Sequence, residues 1–594
     1  MNTIQSYEDL QKIYQGRLDT LLNKQRLISF TRLLSIIFSG VALYYYFKED
    51  QYWLLGAAGI FLVLFFLLVK QFGKNKERVD HLRLLIKINK DEIAYVEQGI
   101  LNFEAGEEFI DPEHAYTFDL DVFGSNSLFQ HMNRTGTLIG KQALAQRFIH
   151  QQVTGIHEEQ AAVAELADHI EWRQHFTAFG RLHVSTEKDR RSFNDWLNAP
   201  QFYLKKKINV ILFYLLPAIT LATLLIMLLT THKEYYFTFL TFFLLNLLLV
   251  GLNLKRFKKE YLALEGVSKI FNTYSHLLKA IESESFQSSR LQALRQSIFT
   301  EHTSAGKAIS QLARVLSKFD SQQNIFGSLL LNGLLLDALH TMLSLEKWRS
   351  RYAQNVPLWM EVIATWDSLN SLANFYCNNR SFVFPQLSNK PMLEIKDAGH
   401  PLIRKDKRVY NDISFQEGKF TILTGSNMSG KSTFLRTIGV NLLLARMGAP
   451  LCASSCTLYP FEIFVSMKIN DSLQNSESLF FAELRRLRRI IDQVETRQPT
   501  FVILDEILRG TNSNDKHRGT SSLIRKLAAF KVYGIIATHD LTISEMVMEY
   551  PLFLRNQCFE VEIDDKRLHF DYKLKDGICQ KMSAVYLMEQ MNII

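Results

Sequence analysis

Small, basic and acidic residues stand at regular positions in two short segments of the last third of this 594-residue chain. Residues 425–432 read Gly-Ser-Asn-Met-Ser-Gly-Lys-Ser and match the pattern GxxxxGK[ST], in which small residues let backbone N–H groups surround the phosphates of a nucleotide. About seventy positions later, the apolar run 501–504 ends in Asp505 and Glu506. Hydrolysis also needs one carboxylate near a magnesium ion and another that orients water. The two segments together predict a nucleotide hydrolase.

The residue types suggest separate roles in binding ATP and Mg²⁺, the two predicted cofactors. Lys431 is predicted to reach the β- and γ-phosphates. Ser432 and Asp505 are the predicted metal ligands, and Glu506 is predicted to polarise the attacking water. The predicted nucleotide-binding residues are Gly425, Ser426, Asn427, Met428, Ser429, Gly430, Lys431, Ser432 and Thr433.

A histidine follows a third apolar run. Residues 532–537 predict a strand, and Thr538-His539-Asp540 comes directly after it. A histidine at the end of a strand parallel to the acid-bearing strand can hydrogen-bond the γ-phosphate or position water. The alternative is a histidine that only packs in the core. The presence of the other two segments favours a catalytic role for His539.

These residues need a strand before the phosphate loop and a helix after it. Residues 420–423 are a short β-branched and apolar run, and 431–446 show the pattern of an amphipathic helix whose N-terminus is predicted to point at the phosphates. The segment from Pro385 to Pro401 is the predicted boundary into this domain. The sequence therefore predicts an α/β P-loop ATPase domain of the ABC type over 385–594.

Four other stretches are almost entirely apolar. They contain no Asp, Glu, Lys or Arg, and they cover 33–47, 52–69, 208–231 and 235–254. Eighteen helical residues reach about 27 Å, close to the hydrocarbon thickness of a bilayer. Very short links pair the stretches into two predicted transmembrane helical hairpins, 33–69 and 208–254. The alternative is four buried core helices of a soluble protein.

Basic residues flank both hairpins. Eleven lysines and arginines within 70–78, 205–207 and 255–259 stand against Glu77 and Glu260, which leaves these flanks with a net charge of +9. The positive-inside rule then predicts an integral membrane protein of the bacterial inner-membrane type, with its N-terminus and ATPase domain in the cytoplasm. Because the whole chain carries +8, the remainder is close to neutral. DNA stays open as a partner, but the charge distribution does not support it.

A fifth apolar segment, 325–345, contains Asn332, Asp337 and His340. Charged side chains are costly at bilayer depth. Five spans would also place the nucleotide site outside the cytoplasm, where ATP is absent. This segment is therefore predicted to be a buried soluble helix.

The nucleotide motifs resemble those of the MutS family. Residues 424–433 look like its phosphate loop, with small replacements at Ser426 and Ser429. Residues 505–512 are similar to its acid strand and the loop that follows, and 537–540 match its histidine motif. The resemblance implies fold, ATPase activity and cofactors of that family.

The same resemblance implies a homodimer with two composite ATP sites. Residues 476–484 resemble the segment which, in the family, reaches across a dimer to the partner's γ-phosphate. By that resemblance Ser478 is the catalytic residue that acts in trans. Residues 570–577 look like the start of the family's dimerising tail.

The resemblance is weaker upstream, where 127–137 and 366–373 look like the start and end of the family's helical lever domain. The second hairpin interrupts this all-α region. The predicted division of the chain is an N-terminal helical segment 1–32, hairpin 33–69, helical linker 70–110, lever-like part 111–200, hairpin 208–254, lever-like part 256–384 and the ATPase domain with its tail 385–594.

The family's mismatch reader uses a Phe-x-Glu motif in an N-terminal domain. Here that motif occurs only at Phe47, Phe415 and Phe481, outside any such domain. The predicted function is a membrane-anchored, dimeric MutS-like ATPase that does not itself recognise mismatches.

Two other functions compete with this one. An ABC-type transporter predicts an LSGGQ-like signature, which 475–484 lack. An ATP-switched membrane scaffold predicts negligible turnover, and the intact Lys431, Asp505 and Glu506 argue against it.

Overall fold

Helices form the first two thirds of the chain, and a mixed α/β domain follows. The computed structural model describes residues 3–150, 154–183, 186–204, 207–230, 232–264, 267–300, 303–321, 325–416, 419–468, 479–496, 498–564 and 567–580.

Two long helices form the first hairpin. Helix α1 (Thr3–Glu49) and helix α2 (Tyr52–Gln98) contain 47 residues each, a rise of about 70 Å, and they meet at Asp50, whose φ of 53° ends the first helix. Neither helix breaks at the domain boundaries predicted at 32 and 69. The apolar stretches are the distal parts of two continuous rods, and the charged segments are their base.

The base of this hairpin packs on the helical body through apolar and polar contacts. Tyr14, Val79 and Leu85 are buried there. Asn89 and Gln174 exchange side-chain hydrogen bonds of 2.9 and 2.8 Å. Because both amides are buried, this paired exchange satisfies groups that would otherwise be costly.

Five short α-helices build the described residues of the first lever-like part. They are α3 (Leu128–Met132), α4 (Leu138–Ile149), α5 (Ile156–Asp168), α6 (Ile170–Arg181) and α7 (Glu187–Leu197). Side chains at Ser127, Thr137 and Thr186 accept backbone N–H groups and begin α3, α4 and α7.

The second hairpin consists of α8 (Lys207–Leu229) and α9 (Lys233–Leu264). Among the described residues, α1, α2, α8 and α9 are long and apolar enough to cross a membrane, by length and composition only. Their apolar side chains are largely exposed, as in Phe66 at 62 % and Leu248 at 59 %. Exposed apolar surface of this extent marks an interaction site for another protein or for a membrane.

In the described part of the chain between the second hairpin and the C-terminal domain there are six helices. They are α10 (Val267–Ser283), α11 (Ser289–Gln296), α12 (Ala305–Ser321), α13 (Ile325–Leu335), α14 (Asp337–Tyr352) and α15 (Val356–Asn378). The prediction of one buried helix over 325–345 is wrong. Leu336, with φ of 52°, separates α13 from α14 at a bend of 75°. Leu330 in α13 is 56 % exposed, because only one side of this short helix meets the rest of the chain.

One buried aspartate joins the two lever-like parts. Asp367 in α15 accepts the backbone N–H of Gly136 at 3.0 Å and of Thr137 at 2.8 Å, and the Thr137 hydroxyl at 2.7 Å. Burial raises the pKa of this carboxyl, and the same hydrogen bonds oppose the shift. The two segments that resemble the ends of the lever domain therefore lie together in space.

The C-terminal domain is built on a six-stranded sheet. Its strands and helices are β1 (Gln386–Leu387), β2 (Leu393–Ala398), β3 (Asn411–Phe415), β4 (Phe420–Gly425), α16 (Lys431–Arg446), β5 (Ser455–Leu458), β6 (Glu462–Ser466), α17 (Leu479–Glu495), β7 (Thr500–Asp505), α18 (Ser513–Ala529), β8 (Tyr533–Thr538), α19 (Met546–Glu549), β9 (Leu554–Phe559), β10 (Glu562–Asp564), β11 (Arg567–His569) and β12 (Leu574–Asp576).

The order of the main sheet is β12-β9-β4-β8-β7-β6, and only β12 is antiparallel to its neighbour. A four-stranded sheet in the order β1-β5-β2-β3 and the β10-β11 pair accompany it. Every residue of β4, β7 and β8 is buried, as expected for parallel strands covered on both faces. Parallel strands bring their carboxyl ends to one edge, where ligands of open α/β sheets bind.

Candidate nucleotide site

The predicted phosphate loop connects the carboxyl end of β4 to the first turn of α16. Gly430 has φ of 96°, a left-handed conformation that glycine adopts without a side-chain clash, and it immediately precedes the helix. Met428, at φ of 64°, takes the same region at the exposed tip. The backbone N–H groups of the loop therefore lie at the N-terminus of a 16-residue helix. Both the N–H groups and the helix dipole favour an anion at this position.

Lys431 lies inside this loop. Its ammonium donates to the carbonyl oxygens of Gly425 and Ser426, both at 2.8 Å, and only 6 % of the residue is exposed. Burial lowers the pKa of Lys431, while the charges of Glu506 and Asp505 oppose that shift. The side chain is held where a phosphate enclosed by the loop would meet it.

The loop also contains buried hydroxyls that fit a phosphate group. The Oγ atoms of Ser426 and Ser429 have no hydrogen-bond partner among the described residues. Buried polar atoms are rarely left unpaired, so two such hydroxyls in the phosphate loop, of which Ser429 lines a cavity, indicate a ligand. The cavity has a volume of about 470 Å³ and is lined by 427–434, by Glu506 and by residues of the β2–β3 connection.

The two predicted metal ligands face each other across the strand ends. Ser432 Oγ donates to Asp505 Oδ2 at 2.7 Å, and Asp505 is the last residue of β7. A hydroxyl and a carboxylate are hard oxygen ligands of the kind that Mg²⁺ takes beside nucleotide phosphates. The residues present therefore fit Mg²⁺.

The two predicted catalytic groups on neighbouring strands also meet. His539 Nε2 lies 2.6 Å from Glu506 Oε1. This contact with the imidazole lowers the pKa of Glu506 to about 2, in opposition to its partial burial. Glu506 has φ of 47°, a costly conformation for a residue with a side chain, of the sort that accumulates at functional sites.

Glu483 and Arg509 belong to the site although sequence reasoning gave them no role. The Glu483 carboxylate, in α17, accepts the backbone N–H of Leu508 at 2.6 Å and of Arg509 at 3.3 Å. The Arg509 guanidinium donates to the Glu506 carbonyl oxygen at 2.9 Å. Both residues lie within motifs compared with the MutS family, but their contacts depend on how α17 packs beside β7.

Ser478, the implied trans-acting residue, lies outside the described residues, as does the chain after residue 580. Helix α17 begins at Leu479, directly after it. The predicted nucleotide-binding residues 425–433, together with Asp505, Glu506 and His539, do come together at one edge of the sheet.

By its architecture, the chain is a helical protein with a C-terminal mixed α/β domain. The model of "MutS domain V" matches residues 421–593. The DNA mismatch repair protein MutS of Thermotoga petrophila is 31% identical over 197 residues, 32% of this chain and 24% of that protein. The DNA mismatch repair protein MSH4 of Arabidopsis thaliana is 32% identical over the same length and shares. Msh6 of Gallus gallus is 30% identical over 248 residues, 37% of this chain and 18% of that protein.

Residues 421–593 of the C-terminal domain therefore form a domain of the MutS family. The chain spans about a quarter of the length of the first curated relatives that it matches. The described residues before 386 are helical or irregular, with no strand of a separate recognition domain, which agrees with the predicted lack of that domain.

Proposed function

We propose that this chain is a membrane-anchored P-loop ATPase that binds ATP with Mg²⁺ and hydrolyses it as a homodimer. The observation that carries the proposal is the continuous arrangement at the ends of β4, β7 and β8. There the buried Lys431, Ser432 and Glu506 line one cavity, Asp505 is hydrogen-bonded to Ser432, and His539 contacts Glu506. These are the parts that phosphoryl transfer to water needs.

Each side chain then has one task. Lys431 and the loop N–H groups bind the phosphates, and Ser432 with Asp505 would hold Mg²⁺, which neutralises charge that develops on the phosphate oxygens. Glu506 stays ionised at neutral pH, because its pKa is about 2, and accepts a hydrogen bond from the attacking water. His539 fixes the orientation of that carboxylate from the neighbouring strand.

Replacing Glu506 with Gln tests this assignment in the purified full-length protein. The change keeps size and hydrogen-bonding capacity but removes the charge, so we expect MgATP to bind with wild-type affinity while turnover is lost. Glu394→Gln, at an exposed position of β2 in the same domain, is the matched control. Turnover of Glu506→Gln equal to that of the control would contradict the role of Glu506.

The homodimer rests on the resemblance of 476–484 to a segment that acts in trans. Ser478→Ala and Lys431→Ala should each be inactive alone if sites are composite. Mixing the two variants should then restore part of the turnover, because one of the two mixed sites combines an intact loop with an intact Ser478. No recovery on mixing, with dimers present, would oppose shared sites.

Membrane anchoring rests on the four long apolar helices and on their basic flanks. We place the N-terminus and the ATPase domain in the cytoplasm, since the basic flanks lie on one side of both hairpins. Extraction of membranes with alkaline carbonate should leave the protein in the pellet. Recovery in the soluble fraction would refute the anchor.

The relatives are DNA mismatch repair proteins by name, and for this chain DNA is a partner to be tested. The charge outside the hairpin flanks is nearly balanced, so a large phosphate-binding surface is not expected. A DNA-binding measurement across salt concentrations decides the point, because binding to the phosphate backbone weakens steeply with salt.

A further inference from the structure

Helix α13 has an unusual composition for a segment outside the two hairpins. Its sequence, Ile-Phe-Gly-Ser-Leu-Leu-Leu-Asn-Gly-Leu-Leu, contains no charged residue. Leu329, Leu330 and Leu331 are 54 %, 56 % and 43 % exposed. We call these three residues the leucine face. Three adjacent exposed leucines form an apolar patch rather than scattered surface residues.

The same helix is fixed to the second hairpin through Gly333, about one turn beyond the leucine face. A Cβ placed on Gly333 would clash with the Phe243 ring of α9, so this ring packs directly on the Gly333 backbone. Asn246 of α9, fully buried, donates from Nδ2 to the Gly333 carbonyl at 2.8 Å and to the Thr220 hydroxyl of α8 at 3.0 Å. One amide therefore joins all three helices.

The position of this contact along the hairpin determines how deep in a bilayer α13 would lie. Asn246 lies near the middle of the uncharged run 235–254, and Thr220 lies near the middle of 208–231. If the hairpin crosses a bilayer, α13 meets it well inside the hydrocarbon region. The leucine face then belongs to a helix packed against α9, whose apolar side chains, such as Leu248, are also exposed.

The break after α13 is built for an apolar surrounding. Leu336 is fully buried, and Asn332 Oδ1 accepts the N–H of Ala338 at 2.8 Å, the first turn of α14. Backbone outside a regular helix is tolerated at membrane depth only where protein satisfies and covers it. Both conditions hold at this turn.

The helices on either side of α13 lead back to the same part of the helical body. Trp348 Nε1 of α14 donates to the Ala308 carbonyl of α12 at 2.7 Å, so α12 and α14 run side by side. Asp337 and His340 line a groove of about 340 Å³ with Arg314 and Lys318 of α12. The charged groups near the break thus lie beside α12, apart from the leucine face.

We propose that α13 is a re-entrant membrane helix whose leucine face contacts lipid acyl chains. It enters and leaves on the cytoplasmic side, because α12 and α14 both return to the helical body, so the even number of crossings is kept. This inference rests on the proposed membrane anchoring by the hairpins. It adds a third membrane contact, made by the lever-like part itself.

Spin labels on single introduced cysteines test the proposal in the full-length protein reconstituted into phospholipid vesicles. The five native cysteines are all buried, which limits background labelling. Labels are placed at Leu330 on the leucine face, at Leu248 on α9 and at Ser344, an exposed position of α14. Collision rates are measured with oxygen, which concentrates in lipid, and with a water-soluble nickel complex.

We expect Leu330 to match Leu248, with high oxygen and low nickel collision rates, and Ser344 to show the reverse. Nickel access at Leu330 equal to that at Ser344, while Leu248 keeps the lipid pattern, would overturn the re-entrant helix alone. Exclusion of both reagents at Leu330 would overturn it too, because a protein surface would then cover the leucine face. Nickel access at Leu248 would overturn the anchoring as well. A label at Leu331 repeats the test if the Leu330 variant fails to fold.

Discussion

Glu483 is predicted to control turnover without touching the nucleotide. Its carboxylate, 4 % exposed, holds the backbone of Leu508 and Arg509, the turn that directly follows Glu506. Glu506 and Leu508 have φ of 47° and 60°. Residues held in such conformations cost about 1–3 kcal/mol each and persist only where their surroundings enforce them.

The magnitude follows from the hydrogen bonds that Glu483→Ala removes. Each buried N–H left without a partner costs about 1–3 kcal/mol, and the longer bond to Arg509 counts for less than the shorter one to Leu508. If the active conformation of the turn is destabilised by about 3 kcal/mol in total, kcat falls roughly a hundredfold. Glu483→Gln keeps one acceptor oxygen, so its loss should be intermediate.

Steady-state MgATP hydrolysis distinguishes this positioning role from a structural one. We expect kcat to fall in the order wild type, Glu483→Gln, Glu483→Ala, with KM for ATP nearly unchanged, because the phosphate loop lies on another strand. Glu495→Ala, in the same helix with an exposed ion pair to Lys526, is the control and should keep wild-type kcat. A folded Glu483→Ala protein with wild-type kcat, or one altered only in KM, would refute the reasoning.

Three further predictions concern packing, pH and the lever joint. Gly333→Leu should destabilise the protein by about 1–3 kcal/mol through overpacking, whereas Gly251→Leu, which has open space around its Cβ, should not; thermal unfolding in detergent compares the two. Because the folded pKa of Glu506 is lowered from 4.5 to about 2, its ionised form contributes stability above about pH 4.5, and this contribution is lost as pH falls towards 2. Denaturant titrations should therefore show the stability gap between wild type and Glu506→Gln closing over that window, and a constant gap would contradict the assignment. Asp367→Ala leaves buried donors unpaired and should cost about 2–5 kcal/mol of unfolding free energy, against less than about 0.5 kcal/mol for the exposed Asp195→Ala.

The sequence predicted the parts of the site that local pattern determines. The strand before the loop, predicted over 420–423, runs from Phe420 to Gly425, and the following helix has the predicted bounds of 431 and 446. Apolar runs that end in Asp505 and Thr538 are likewise strands. Motif residues at strand ends become neighbours because parallel pairing aligns those ends. The sheet order, in which β8 lies between β4 and β7, does not follow the order of the motifs along the chain.

Other features depend on contacts between distant segments. At the break, Leu336 adopts a left-handed conformation, although no glycine or proline stands at this position to predict one. The break is stabilised by Asn332 and by packing on α9. Hydrophobicity alone therefore predicted one helix there. The role of Glu483 could not be predicted either, because an acidic residue in an amphipathic helix is expected to be solvent-exposed. Its contact with the turn after β7 depends on where α17 packs.

The unbroken length of α1 and α2 has a mechanical consequence. A rod of about 70 Å that tilts by about 10° moves its far end by about 12 Å. The base of this rod is clamped to α6 by the Asn89–Gln174 pair and by the His81 and His175 rings, whose nitrogens lie 2.9 Å apart. Small rotations of the helical body are thereby amplified at the distal tip. If the hairpin stands in a bilayer, as proposed, tension or curvature in the lipid around its distal tip tilts the same rod and acts on the helical body at its base.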